Sequence, residues 1–170
     1  MTPATFLRAV PPERGDSKMH AEYLKQDEDL VIIGPAIRTS SEKAGQDIPL
    51  FWQRFMREHL PALKDARDVY AVYCDYESDY RGPYTLVIGT RVSAEAPVPE
   101  GLRRVVIPRG EYARFIARGD PAQALVRSWA HVWNDWERRG ARRYVADFER
   151  HDLAAMTRGT VEAEVHVGLT

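Results

Sequence analysis

The stretch VADFERHD, residues 145–152, places three carboxylates, an aromatic ring and a histidine within eight residues. It begins like a β-strand, yet it carries acidic side chains where most strands would carry neutral ones. Such a carboxylate could attract an organic cation, with aromatic neighbours adding cation–π contact, or it could act as a base on water. The first question is whether Glu149 is a solvated charge or part of a binding site.

Strand alternation separates the side chains of this stretch into two groups. In the predicted strand 142–149, Asp147 and Glu149 fall on one face, and Ala146 and Phe148 fall on the other. We expect Phe148 to face a core covered by a helix, which leaves Glu149 facing a groove. A charged residue near a strand end is usually solvated. We nevertheless favour a site at Glu149, because a carboxylate surrounded by aromatic rings suits an organic cation.

An earlier stretch of the chain, VYCDYESD, aligns with YVADFERH, so that Glu77 corresponds to Glu149. Glu77 is therefore also a candidate for ligand contact, although it precedes a polar turn and a solvated charge at a hairpin is the more common role. Tyr73 shares the face of Glu77 and is expected to point toward the groove, while Tyr84 opens the next strand. Tyrosine combines an apolar ring with a polar tip, so pocket lining and core packing both remain open for these two residues.

Four tryptophans lie on the two predicted helices. Trp52 is on the first helix, and Trp129, Trp133 and Trp136 are on the second. Tryptophans at helical spacing more often fill a core than line a ligand site. We expect Trp52 and Trp129 to be mainly structural, with Trp129 also a candidate for ligand contact. Trp133 is expected to reach the groove, and Trp136 to be partly exposed near the helix end.

Metal and cofactor chemistry are not indicated by the sequence. The five histidines lack the H-E-x-x-H spacing of a metal site, and one cysteine is a poor basis for zinc binding. That cysteine, Cys74, lies in an apolar run and is expected to be a small buried hydrophobic residue. No P-loop, dinucleotide-binding or G-x-S-x-G motif is present. We expect no metal and no cofactor, and only Glu149 as a catalytic candidate if the protein were a hydrolase.

Composition limits the class of protein. The chain has 170 residues, enough for one well-buried domain, and a formal charge of −1 from 24 basic and 25 acidic residues. This balance argues against direct binding of nucleic acid, which usually needs a basic excess. No apolar segment approaches the ~20 residues that would span a bilayer. The single cysteine fits a reducing compartment, and we expect a cytoplasmic location.

The chain reads as two halves with the same order of elements. Residues 1–29 are expected to form a mobile N-terminal arm, with a short helix near 21–25. The first half, about 30–92, contains a strand with a bulge or edge position at Gly34-Pro35. A helix over 47–60 and strands over 69–76 and 84–92 follow it.

A proline-rich link, 93–101, joins this half to the second, about 103–170. The second half contains a strand over 111–117, a helix over 120–140, and strands over 142–149 and 161–169. Asp120, Pro121 and Gly140 are typical of the two ends of that helix. The predicted fold is α+β, with duplicated β-α-β-β units related by a pseudo-two-fold axis. This predicted fold has antiparallel sheets, one main helix per unit and a central ligand groove.

The chain contains, in this order, IPLFWQRF, VYAVYCDYESDYRGPYTLVIGTRV, VPEGLRRVVIPRGEYARF, the Trp-rich helix, ADFERHD and VEAEVHVGL. This ordered series resembles the GyrI-like superfamily. That group includes gyrase-inhibitory proteins and the effector-binding domains of AraC- and MerR-type regulators. The resemblance covers roughly 30–170. It implies a groove in which a glutamate meets cationic aromatic ligands. By position that glutamate matches Glu149, and the groove-lining tryptophan matches Trp133.

The resemblance implies a protein that senses or sequesters small molecules. The 29 residues before the first predicted strand are too few and too irregular for a helix-turn-helix domain, so we expect a stand-alone effector-binding module. The expected partner is a small, amphipathic, cationic aromatic ligand, and we expect neither nucleic acid nor membrane binding. Two alternatives remain open. One is hydrolysis of strained electrophilic natural products in the same groove, and the other is binding of gyrase or a separate regulator.

Overall fold

The computed structural model describes residues 19–63 and 65–170. The strands are β1 (Glu22–Gln26), β2 (Leu30–Gly34), β3 (Ala36–Ser40), β4 (Asp68–Cys74), β5 (Pro83–Val92), β6 (Arg103–Ile107), β7 (Gly110–Gly119), β8 (Ala146–Asp152) and β9 (Val161–Gly168). The helices are α1 (Ser41–Glu58), α2 (Ala124–Asn134) and α3 (Leu153–Thr157).

All strand pairs are antiparallel within one curved nine-stranded sheet. At its centre β8 pairs with β4, flanked on one side by β9 and β7 and on the other by β5 and β3. Each half therefore contributes an outer strand, a helix and two inner strands, arranged about an axis between β4 and β8. This arrangement confirms the predicted α+β fold with duplicated β-α-β-β units.

The central strands are covered on both faces. On one face α1 packs on β3 and β5, and α2 packs on β7 and β9. Phe51 and Phe55 of α1 and Trp129 and Val132 of α2 are fully or nearly buried there. Tyr73 of β4 packs against both of these helix cores. On the other face β2 and β6 fold over β4, β5 and β8 to enclose a second core. The sheet can fold back because Pro35, which has no backbone N–H group, separates β2 from β3.

Both main helices have bounds that differ from the predictions. The first helix begins at Ser41 rather than near 47. The prediction missed its first turns because they are polar and show no apolar periodicity. The second spans Ala124–Asn134 rather than 120–140. The Asp120 carboxylate accepts a hydrogen bond from Ala122 N in a turn before the helix, and the chain leaves the helix before Trp136.

Two further predictions are wrong. The short helix expected near 21–25 is instead β1, which pairs with β7, so this part of the predicted arm belongs to the sheet. The rest of that arm, 1–18, lies outside the described residues. The strand predicted over 142–149 begins only at Ala146, because Tyr144 adopts a left-handed backbone conformation with φ of 53°. Within the described parts of the chain, no helix is long and apolar enough to cross a membrane.

Candidate functional site

Glu149 lies at the centre of the sheet. It belongs to β8, where its cross-strand partners are Ala71 on β4 and Val165 on β9. The strands β4 and β8 each have seven residues, and β4 begins at Asp68 as β8 begins at Ala146. Matched by their first residues, the two strands make Ala71 the counterpart of Glu149. The pseudo-two-fold axis therefore passes close to Glu149.

Three side chains donate or share hydrogen bonds with the Glu149 carboxylate. Oε1 accepts from the hydroxyl of Tyr73 at 2.8 Å and from the indole Nε1 of Trp129 at 2.7 Å. Oε2 lies 2.7 Å from Nε2 of His151. These three residues come from β4, α2 and β8, so the carboxylate ties both halves of the fold together. His151 is in turn in edge contact with Trp52 of α1, with ring centres 5.0 Å apart.

The environment keeps Glu149 ionised although it is only 2% exposed. Burial alone would raise its pKa, but the hydrogen bonds from His151, Trp129 and Tyr73 outweigh burial and lower the pKa below its ordinary value. Burial, with the neighbouring carboxylate, raises the Tyr73 pKa well above its usual range. A carboxylate with a lowered pKa is a weaker general base.

The direction in which Glu149 faces differs from the prediction. Asp147 and Glu149 do share one face of β8, but this is the face covered by the helices. Phe148 faces the opposite core, where its ring stacks on His166 at 4.4 Å. The prediction assumed that only one face of the strand would be covered. The fold buries both faces of β8, and Glu149 lies on the face that α1 and α2 cover.

Stacked aromatic rings extend from the carboxylate to the surface. Trp129 stacks with Trp133 at 6.1 Å between ring centres, and Trp133 stacks with Tyr80 at 5.8 Å. Trp133 is 40% exposed, so it forms the outer end of this stack on α2. Tyr84 lies against Tyr73 at 5.8 Å on the opposite side. The structure thus brings Glu149, Tyr73, Tyr84, Trp129 and Trp133 into one continuous cluster.

Glu77 is not part of this cluster. Its side chain is 64% exposed beyond the end of β4 and pairs with Arg38 at 3.0 Å. The alignment of VYCDYESD with YVADFERH is therefore out of register, since the strand ends match Glu149 with Ala71. Trp136, expected to be partly exposed, is 1% exposed in the core between α2 and the sheet.

Sequence reasoning missed the role of His151. Its spacing of two residues from Glu149 places it on the same strand face, and this alternation could have identified it. Tyr80 was also missed, because it lies in a turn for which no periodicity exists. Among the described residues, no group of three or more histidine, cysteine or acidic side chains is placed to hold a metal ion.

Two surface cavities flank the helices. One, of about 470 Å³, lies between the outer side of α1 and β3. The other, of about 220 Å³, lies beside Trp133 and Tyr80 at the far end of α2. Glu149 lines neither of them. Access to its carboxylate therefore requires movement of the aromatic side chains that cover it.

A duplicated antiparallel sheet with two helices on one face and a buried carboxylate on its pseudo-axis defines a GyrI-like effector-binding fold. The family model Cass2, described as integron-associated effector binding protein, matches residues 23–167, and the chain belongs to this family.

Similar proteins agree with this assignment. The chain is 27% identical over 128 residues to YobU of Bacillus subtilis (strain 168), whose name proposes a role in transcriptional regulation. The match covers 72% of this chain and 79% of YobU. The integron cassette protein VCH_CASS2 from the mobile metagenome of Vibrio cholerae is similar in structure, with a TM-score of 0.69 and 22% identity. The similarity covers 89% of this chain and 95% of VCH_CASS2.

Another solved structure of this fold contains a ligand. SAV2435 bound to tetraphenylphosphonium has a TM-score of 0.72 and 19% identity to this chain, covering 89% of this chain and 94% of SAV2435. At this level of identity the similarity defines the fold alone.

Proposed function

We propose that this protein binds amphipathic aromatic cations between α1 and α2, with the Glu149 carboxylate as the counter-charge. The observation that carries the proposal is a fully buried, ionised carboxylate whose only hydrogen-bond partners among the described residues are three side chains from β4, α2 and β8. A buried charge is costly unless it is compensated. A bound organic cation would add an opposite charge to the hydrogen bonds that Tyr73, Trp129 and His151 already provide.

The charge of the ligand follows from the carboxylate. An ionised carboxylate is an acceptor only and repels anions. For a cation 4 Å from it, Coulomb attraction amounts to about 4 kcal/mol at an effective dielectric constant of 20. This attraction would offset the hydrogen bonds that Tyr73 and Trp129 lose if they rotate away from Oε1.

The aromatic character of the ligand follows from the walls. Tyr73, Tyr84, Trp129 and Trp133 offer ring faces and edges around the carboxylate. Rings prefer offset-stacked or edge-on contacts, and each adds about 0.5–1.5 kcal/mol beyond burial of its area. A cation whose charge is shielded by aromatic groups matches both the walls and the carboxylate. Tetraphenylphosphonium, the ligand found in SAV2435, has this chemistry.

Thermal unfolding with and without tetraphenylphosphonium tests the proposal. A ligand at about a hundred times its dissociation constant stabilises the fold by about 2.7 kcal/mol, which raises Tm measurably. We expect a clear rise for the unmodified protein and for Glu77→Gln, which removes an exposed glutamate charge elsewhere. We expect no rise for Glu149→Gln. The same rise in Glu149→Gln, or none in the unmodified protein, would contradict the proposal.

A neutral ligand gives a second comparison that needs no variant. Triphenylphosphine oxide presents three of the same aromatic groups on phosphorus without a net charge. We expect it to bind the unmodified protein at least about tenfold more weakly than tetraphenylphosphonium, because it gains little from the carboxylate. Equal affinities would show that the aromatic walls act without Glu149. This comparison remains decisive even if Glu149→Gln is too unstable to study.

A further inference from the structure

A second buried charge lies at the far end of the aromatic stack. Arg142 follows the short turn after α2, and its side chain is 2% exposed. One terminal nitrogen, Nη2, donates to Oδ2 of Asp147 at 2.8 Å. Asp147 is itself fully buried and also accepts from the Tyr76 hydroxyl at 2.7 Å and from Gly168 N at 2.9 Å. The Asp147 carboxylate is thus well satisfied.

The Arg142 guanidinium is not well satisfied. Its Nε and Nη1 are buried and have no hydrogen-bond partner among the described residues. Its central carbon lies 4.4 Å from the ring centre of Tyr144 and 5.8 Å from that of Tyr80. Ring faces stabilise a cation, but they replace a charge-assisted hydrogen bond only in part. Buried N–H groups without an acceptor are rare and each calls for an explanation.

The cavity of about 220 Å³ beside Trp133 adjoins Arg142. Its wall combines cationic and aromatic side chains, namely Arg81, Arg139, Arg142, Tyr80, Trp133 and Tyr144. In this wall Arg81 is paired with Asp79, and Arg142 with Asp147. Arg139 donates to a backbone oxygen of Trp136 and forms no ion pair with any described residue. The surroundings of the cavity therefore carry one net positive charge.

We propose that this cavity binds a small aromatic anion, a single ring bearing a sulfonate, carboxylate or phosphate group. The acid group accepts from Arg139 and from the unpaired N–H groups of Arg142, and the ring lies against Trp133. Tyr80 must move aside for the acid group to reach Arg142, since Arg142 is shielded from solvent. The cavity is smaller than the range typical of drug-sized ligands, about 300–1,000 Å³, so a single ring fits best.

This inference goes beyond binding of cations at Glu149, because charge and place both differ. Trp133 is the link between the two sites, since it stacks on Trp129 and also lines the cavity. We expect a cation to bind at Glu149 and an anion to bind in the cavity.

Calorimetric titration with benzenesulfonate tests the inference. Benzenesulfonamide, which has nearly the same shape and no charge at pH 7, is the matched ligand control. Inorganic sulfate tests the contribution of the ring. We expect benzenesulfonate to bind more tightly than either control. Equal binding of benzenesulfonamide would overturn the role of the arginines, and equal binding of sulfate would overturn the role of the aromatic wall.

Two neighbouring arginines provide matched variants. Arg139→Gln removes the unpaired charge at the cavity, and Arg138→Gln removes an exposed charge that does not line it. We expect Arg139→Gln to weaken benzenesulfonate binding at least about threefold, as loss of a partly solvated ion pair would. Arg138→Gln should leave it within experimental error. Equal effects of the two variants would indicate general electrostatics and overturn the site.

Nuclear magnetic resonance reports on Arg142 without disturbing its pair with Asp147. The Nε–H signal of Arg142 is expected to shift downfield on addition of benzenesulfonate, because a strong acceptor replaces a ring face. An unchanged signal at saturation would overturn the assignment of Arg142. Glu149→Gln is expected to retain benzenesulfonate binding and to lose the response to tetraphenylphosphonium. The two proposals can therefore fail independently.

Discussion

Ala71 and Glu149 are direct cross-strand partners, and they occupy equivalent positions in the two half-repeats. One half supplies the carboxylate, and the other supplies only a methyl group opposite it. Ala71 is fully buried in the core beneath α1, against which Tyr73 also packs. The duplicated fold has thus become asymmetric at its centre, where two facing carboxylates would repel each other.

Ala71→Leu is expected to destabilise the fold. The larger side chain would enter the space occupied by the Glu149 carboxylate and its donors, and overpacking of a core typically costs about 1–3 kcal/mol. Urea-induced unfolding would measure the free energy change. Ala94→Leu, at an exposed position in the link between the halves, is the control and should be nearly neutral. Equal stability of the two variants would show that the space beside Ala71 can accommodate more volume.

Tyr73→Phe is expected to lower the free energy of unfolding by about 1.5–3 kcal/mol at pH 7, the range for a hydrogen bond to a charged group. The variant removes one of two donors to Oε1 and leaves the ring in place. Tyr84→Phe is the matched control, because the hydroxyl of Tyr84 forms no hydrogen bond with the described residues. If both variants have the same stability, the Tyr73 hydroxyl contributes nothing to the fold.

The pH dependence of this variant follows from the lowered pKa of Glu149. A carboxyl group whose pKa is lower in the folded state stabilises the fold above its unfolded pKa, about 4.3. That stabilisation is lost as the pH falls through the folded pKa. Tyr73→Phe removes a donor and should bring the folded pKa closer to the unfolded one. Its deficit relative to the unmodified protein should therefore shrink between pH 7 and pH 3, and a constant deficit would contradict this.

The sequence was informative where alternation or periodicity exists. Alternation placed Asp147 and Glu149 on one face, and the order of elements in the two halves predicted the duplicated sheet. Alternation could not show which face of β8 the helices cover. Both faces of β8 are buried, so neither face is marked by a run of exposed polar residues. The asymmetry between Ala71 and Glu149 was also missed. Aligning the two stretches by residue similarity matched Glu149 with Glu77. Strand pairing shows that the counterpart of Glu149 is Ala71.

The hydrogen-bond partners of Glu149 could also be predicted from the sequence only in part. Trp129, Tyr73 and His151 come from three elements, and only the spacing of His151 is visible along the chain. The burial of Trp136 depends on where α2 ends. That end follows from packing against β7 and β9 rather than from a strong local stop signal. Gly140, the expected end of the helix, lies instead in a short turn beyond it.

Trp133→Ala is expected to weaken tetraphenylphosphonium binding about tenfold with little effect on stability. The side chain is 40% exposed, so its removal leaves no enclosed cavity, while an aromatic contact with a cation contributes about 0.5–2 kcal/mol. Val126→Ala, another exposed apolar residue of α2, is the control for general changes in the helix. Unchanged affinity in Trp133→Ala would remove this residue from the cation site.

Trp136→Ala should give the opposite result from Trp133→Ala. Trp136 is 1% exposed and packs edge-on against Phe115, with ring centres 5.3 Å apart. Deleting a buried tryptophan typically costs about 3–5 kcal/mol. Urea-induced unfolding should therefore show a large loss of stability. If Trp133→Ala proved the more destabilising of the two, the assignment of their roles would be reversed.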